Sequence, residues 1–225
     1  MRNKVLILII AFFAFQSTTK AQNYLEDAAG RPLRGNVKGE LTGNPLLFSD
    51  WVVGSVELKS SKVYKQVPLN IDLLSQEVIF KGKDGNSLGF TEDVSSVVFP
   101  ENTPAGTVNR LFKKGFPSTS NSTDKDYFEV LSEGPTSLLK RTWKSIWEEK
   151  TYNSATVTQS ILTKTTYYIY DPAKKTLKVI KPSKSAVLAQ LPNHKAEVEA
   201  YIKNSNVNFS DDQSLAKLFS YYNSL

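Results

Sequence analysis

Glu77-Val78-Ile79-Phe80-Lys81-Gly82-Lys83-Asp84-Gly85-Asn86-Ser87-Leu88-Gly89-Phe90-Thr91 decides the fold. Two strand-prone runs, Glu77 to Lys81 and Ser87 to Thr91, flank Lys83-Asp84-Gly85-Asn86. An Asp-Gly pair in that position supplies the positive φ angles that a hairpin turn requires. Upstream, Val56 and Leu58 alternate with polar partners, and Val67, Leu69, Ile71 and Leu73 keep a period of two against Gln66, Pro68, Asn70 and Asp72. One face is apolar and the other wet, the pattern of a half-buried strand. Pro68 has no amide hydrogen for a ladder, which places it on an edge or at a bulge.

Downstream, Ser96 to Phe99, Arg110 to Phe116, Tyr127 to Leu131, Thr165 to Tyr170 and Leu177 to Lys181 read as further strands, the last two joined by Asp171-Pro172-Ala173-Lys174-Lys175. Ser137 to Glu149 fits either period and is read as a strand. Ser118 to Thr123, six residues of Ser, Thr and Asn, reads as a mobile tip that buries nothing. After Pro182 the pattern turns helical: Val187, Leu188 and Leu191, then Val198, Tyr201 and Ile202, then Leu215, Leu218, Phe219 and Tyr222. Ser210 with Gln213 three residues on predicts a capping box for the last helix. The expected fold is α+β and mainly β: an antiparallel β-meander, as a curved sheet or partial barrel over 22–181, with C-terminal helices over 182–225 packed on it.

The first 21 residues read as an export signal. Arg2 and Lys4 precede an apolar run from Val5 to Phe15 that is too short to span a bilayer, and the polar stretch after it ends at Ala21. Removing the signal lowers the formal charge from +6 to +3, with 25 basic residues against 22 acidic. That small surplus argues against nucleic-acid binding, and no later segment is apolar for long enough to cross a membrane. Cysteine is absent, which excludes disulfides, thiolate metal sites and a thiol nucleophile. The expected compartment is the periplasm, with secretion as the alternative.

Catalytic patterns are weak. His194 is the single histidine and follows Pro192-Asn193 at a helix start, so it reads as an exposed residue rather than a metal ligand or a base. Ser137 and Lys140 match S-x-x-K, but a strand sends residues three apart to opposite faces, and the companion motifs of that chemistry are missing. Glycine-rich phosphate loops are absent, and the scattered carboxylates read as a solvated surface. The chain is expected to be non-enzymatic, with no cofactor and no metal.

Two segments suit a partner. Thr151 to Thr163 carries no charge and includes Tyr152, Val157, Ile161 and Leu162; it reads either as a hairpin continuing the sheet or as a segment inserted against another protein. Lys174, Lys175, Lys178, Lys181 and Lys184 form the densest cationic stretch, either an edge strand guarded by lysine or a docking patch. Tyr167, Tyr168, Tyr170, Trp143 and Trp147 suit core and interface equally.

Gly43-Asn44-Pro45 with Trp51, Gly54, Val56 and Leu58; Phe128-Glu129-Val130-Leu131 with Gly134 and Leu138-Leu139; Tyr167-Tyr168-Ile169; and Leu215 to Leu225 with Tyr221-Tyr222-Asn223 together resemble a widespread group of exported proteins from Bacteroidota. The shared motifs are structural, and no active site comes with them. In such bacteria type IX secretion cargo usually ends in a β-sandwich sorting domain, whereas this chain ends in an amphipathic helix. The resemblance therefore implies a periplasmic resident with an outer-membrane or periplasmic protein partner, such as an accessory or plug-like subunit of the type IX translocon. The alternative expectation is a carrier of a lipid or another apolar small molecule in a β-barrel cavity.

Overall fold

The structure, a computed structural model, describes residues 30–32, 41–104, 106–150 and 157–225. The proposed export signal and Tyr152 lie outside the described residues. Among the described residues twelve strands precede three helices: β1 (Gly30–Pro32), β2 (Leu41–Thr42), β3 (Val52–Leu58), β4 (Val63–Asp72), β5 (Glu77–Lys81), β6 (Ser87–Phe90), β7 (Val94–Thr103), β8 (Gly106–Lys113), β9 (Phe128–Ser132), β10 (Ser137–Lys150), β11 (Val157–Asp171), β12 (Thr176–Ile180), then α1 (Lys184–Gln190), α2 (Lys195–Asn204) and α3 (Asp212–Tyr222). Eleven strands form one antiparallel path in the order β1-β6-β5-β4-β3-β7-β8-β9-β10-β11-β12, and β2 pairs parallel with β11. The mainly β expectation holds, as an open curved sheet.

From β3 onward the meander has one jump. Strand β7 follows β6 in sequence but pairs with the far side of β3, four positions from β6 in the sheet, and only Thr91, Glu92 and Asp93 join β6 to β7. Four strand spacings measure about 19 Å, while the four steps from Phe90 to Val94 reach at most about 14 Å. A flat sheet cannot satisfy both, so β3 to β7 curl around their apolar face. Inside the curl Tyr64, Leu69, Ile71, Val97 and Phe99 are buried, and each such large side chain contributes about 2 kcal/mol. Phe80 packs on Phe90 at 4.8 Å and Phe48 meets Phe99 edge-on at 4.9 Å.

A second core lies under the helices, where Leu138, Ile169 and Ile180 meet Val187, Val198, Leu215, Leu218 and Phe219. Charges tie α3 down as well: Asp212 takes an ion pair from Lys140 and accepts the Tyr167 hydroxyl at 2.8 Å. On the other face of these strands Phe128, Leu139 and Tyr168 form a small third cluster capped by Phe116. The two halves share a narrow ladder between β8 and β9, Phe112 opposite Glu129 and Lys113 opposite Phe128, reinforced by a bidentate Arg110–Glu129 pair at 2.6 and 2.9 Å.

Several local expectations need correction. Pro68 sits on an interior strand; the bulge there falls at Lys65–Gln66, where Gln66 has φ 57°, and the β5 ladder starts only at Leu69, so no amide is needed at Pro68. Asn70 is buried rather than wet, because its amide bonds Phe48 and Asp50 across the strand. Only Gly85 in the Asp-Gly turn has positive φ, since the link from Gly82 to Asn86 is longer than a two-residue turn. The last helix is capped by Asp211, whose carboxylate accepts the Ser214 amide, and not by Ser210.

Gly54 on β3 passes close to β7: a Cβ there would sit 2.5 Å from the Val98 carbonyl oxygen. Gly54→Ala is therefore expected to cost about 2 kcal/mol through displacement of the strand pair, measured by urea unfolding. Stability equal to the parent chain would show that β3 and β7 can separate freely.

Candidate functional site

Beyond Lys140 the partner strand β9 has ended, and one edge of β10 would lack hydrogen bonds. The turn after β4 supplies them. Leu73 accepts the Lys144 amide at 2.9 Å, and the Gln76 side chain reaches the Thr142 carbonyl at 3.5 Å while accepting the Tyr127 amide at 3.3 Å. Lys144 completes this clasp with its ammonium, which donates to the Asn44 and Leu46 carbonyls at 2.8 and 2.6 Å. Burial, partly opposed by Asp72, holds its pKa below the ordinary lysine value.

Between the clasped halves lies an open cleft of about 820 Å³. Its walls come from the Leu73–Val78 turn, the β6–β7 connector, Lys114–Gly115, Asp124–Tyr127 and Arg141–Lys144. Six basic and five acidic side chains border it, among Phe90, Tyr127 and Trp143. The Tyr127 hydroxyl donates to the Val94 carbonyl at 2.8 Å, and burial with Asp93 and Glu77 nearby pushes its pKa well above the ordinary phenol range.

Arg141 anchors one wall. Its side chain is 9% exposed, pairs with Asp126 at 3.0 Å, donates to the Asn121 carbonyl at 2.7 Å and lies over the Trp143 ring at 4.4 Å. Asp126 also accepts the Thr123 amide at 2.7 Å. These bonds overturn the reading of Ser118 to Thr123 as a tip that buries nothing. Ser122 is 4% exposed, and its hydroxyl lies 2.8 Å from that of Thr119, so the buried polar group is satisfied within the loop.

The β10–β11 ribbon leaves the body past this wall. Strand parity puts Arg141, Trp143, Ser145 and Trp147 on one face, with Lys164 opposite Trp143 and Leu162 opposite Ser145. Trp147 is 57% and Leu162 41% exposed on that face. Ile146 stands opposite Ile161 on the other face, where Gly43 packs on Ile161; a Cβ at Gly43 would lie 3.0 Å from the Ile161 Cβ. The segment from Val157 to Thr163 thus continues the sheet as half of this hairpin.

Of the seven residues chosen from sequence, the six that are described do not converge. Val157, Ile161 and Leu162 belong to the outer end of β11, whereas Lys174, Lys175 and Lys178 follow its inner end, about 30 Å away along the strand. Lys174 pairs with Asp171 at 2.9 Å, Lys175 occupies a left-handed turn position, and Lys178 stands exposed on the terminal strand β12. Periodicity missed Arg141, Asp126 and the cleft. The available signal was the strand reading of 137–149, which puts Arg141, Trp143 and Trp147 on one face.

The residues of the weak catalytic patterns have structural engagements. Ser137 donates to the Gly134 carbonyl, Lys140 pairs with Asp212, and His194 is a half-exposed helix-start residue 3.7 Å from Glu197. Among the described residues no group of three or more His, Cys, Asp or Glu could hold a metal ion, and no helix is long and apolar enough to cross a membrane. Comparison with family models, curated proteins and solved structures finds no match for this chain.

Removing one member of a buried ion pair strands the other, so Asp126→Ala is expected to cost about 3 kcal/mol at pH 7. The double variant Asp126→Ala, Arg141→Met is expected to lose clearly less than the sum of the single variants in urea unfolding. Simple additivity would mean that the pair contributes nothing to fastening the 118–126 loop.

Proposed function

We propose that the chain is a non-enzymatic binding and assembly protein of the periplasm, an accessory partner of an outer-membrane complex such as the type IX translocon. The observation that carries this reading is the ribbon face with Trp147 and Leu162 exposed beyond the body of the protein. Aromatic and aliphatic side chains clustered in the open favour a protein interface over solvent. The structural engagements of Ser137, Lys140 and His194 add support, since none of the three is presented to the cleft.

The carrier reading draws less support. An apolar cargo needs an enclosed apolar cavity, whereas eleven charged side chains border the open cleft between the two halves.

A photo-activated cross-linker at position 147 or 162 of the full-length protein, in intact cells, is expected to capture an outer-membrane protein. The same cross-linker at Val108, an equally exposed position on β8, is expected to give background only. Trp147→Ser combined with Leu162→Ser is expected to reduce capture by a C-terminally tagged chain about tenfold, the loss of roughly 1.4 kcal/mol, with thermal unfolding unchanged. Equal labelling from all three positions, or none, would overturn the interface.

A further inference from the structure

The cleft and the ribbon are one surface. Arg141 and Trp143 form a cleft wall, and the same strand face continues through Leu162 to Trp147. From Arg141 to Trp147 this track runs about 20 Å along β10. An extended segment of six or seven residues matches that length.

Charge decides what kind of segment fits. In the cleft most carboxylates are committed within the protein: Glu77 to Arg31, Asp93 to Lys114, Asp126 to Arg141, and Glu92 to the Ser60 amide. Among the described residues, Lys59 and Lys125 in the cleft and Lys164 on the ribbon have no carboxylate within ion-pair distance. Asp124 is the one cleft carboxylate whose side chain is left uncommitted. All three lysines are exposed, so their positive charge faces whatever enters.

We propose that this continuous surface binds an extended acidic segment of a partner protein, with its carboxylates beside Lys59, Lys125 and Lys164 and an apolar side chain against Trp147 and Leu162. The proposal rests on the assembly reading and names the chemistry of the partner. Unpaired exposed lysines remain hydrated until a carboxylate arrives, so they supply steering and register, while the aromatic stripe supplies apolar contact.

The test uses the full chain and three probes, with tryptophan fluorescence as readout. The first is a seven-residue peptide alternating Glu and Leu, the second its Lys and Leu counterpart, and the third free glutarate. The acidic peptide is expected to bind at least tenfold more tightly than the basic one and to weaken with added salt. Lys59→Glu combined with Lys125→Glu is expected to lower its affinity at least tenfold, and Trp147→Ser about fivefold. All these side chains are exposed, and circular dichroism melting verifies that the variants fold.

Equal binding of both peptides, binding of neither, or insensitivity to the lysine reversals would overturn the proposal. Glutarate binding as tightly as the acidic peptide would overturn it too, in favour of a small-anion site. A captured outer-membrane protein at position 147 together with failure of the acidic peptide would leave the assembly reading standing without this partner chemistry. Peptide binding without capture in cells would do the reverse.

Discussion

Three residues, Thr91 to Asp93, set the shape of this protein. They must carry the chain from β6 to β7, which lie on opposite sides of the β5-β4-β3 unit in the hydrogen-bonded order. A chain that short cannot cross a flat sheet of that width, so the sheet curls until the two ends approach. Curling encloses the Phe80, Phe90, Val97 and Phe99 side chains and also fixes where the enclosure stops. Phe90, Glu92, Asp93 and Val94 stand at its mouth, and that mouth is one wall of the cleft. A longer connector would relax the curl, and the cleft would flatten with it.

The opposite wall follows from an unequal pairing of strands. Strand β9 has five residues and β10 fourteen, so most of one β10 edge is left over. A buried amide without a partner costs about 1–3 kcal/mol, and the turn after β4 removes that cost at Lys144 by offering the Leu73 carbonyl. The same contact brings the two halves together without extending the ladder. The sheet stays open by topology and is nevertheless fastened across its gap, and the cleft is the space that neither half fills.

The strands were legible because their apolar residues keep a period of two: Val67, Leu69, Ile71 and Leu73 are all buried, and the Ser137 to Glu149 segment is a strand despite its helical spacing of Leu139, Trp143 and Ile146. The helices were legible from Leu215, Leu218 and Phe219 in the same way. Periodicity reports only whether a side chain faces apolar surroundings, so it could not see Asn70 or Arg141, polar groups buried on distant partners. Nor could it bring Asp126 to Arg141, which depends on the register of β9 with β10, or Leu73 to Lys144, which depends on how far the sheet curls. The stretch proposed for a partner, Thr151 to Thr163, stood out as an uncharged run. Its face was not, because Trp147 lies outside that run and joins it only through the register of β10 with β11.

The two edge strands carry polar guards, and the ribbon differs from them in exposing a tryptophan. Strand β1 is three residues long, ends in Pro32 and carries Arg31, and β12 exposes Lys178 after the Lys174–Lys175 turn. Short length, proline and lysine are the usual defences against a foreign strand or apolar patch. The outer half of β10 has Glu148 and Glu149, yet exposes Ile146 and Trp147 beside them. An indole half open to water brings no packing gain to the isolated chain, and its neighbour Leu162 is open on the same face. Two such side chains, aligned by strand register with a cleft in which Lys59 and Lys125 lack carboxylates, gain contact area when another chain covers them.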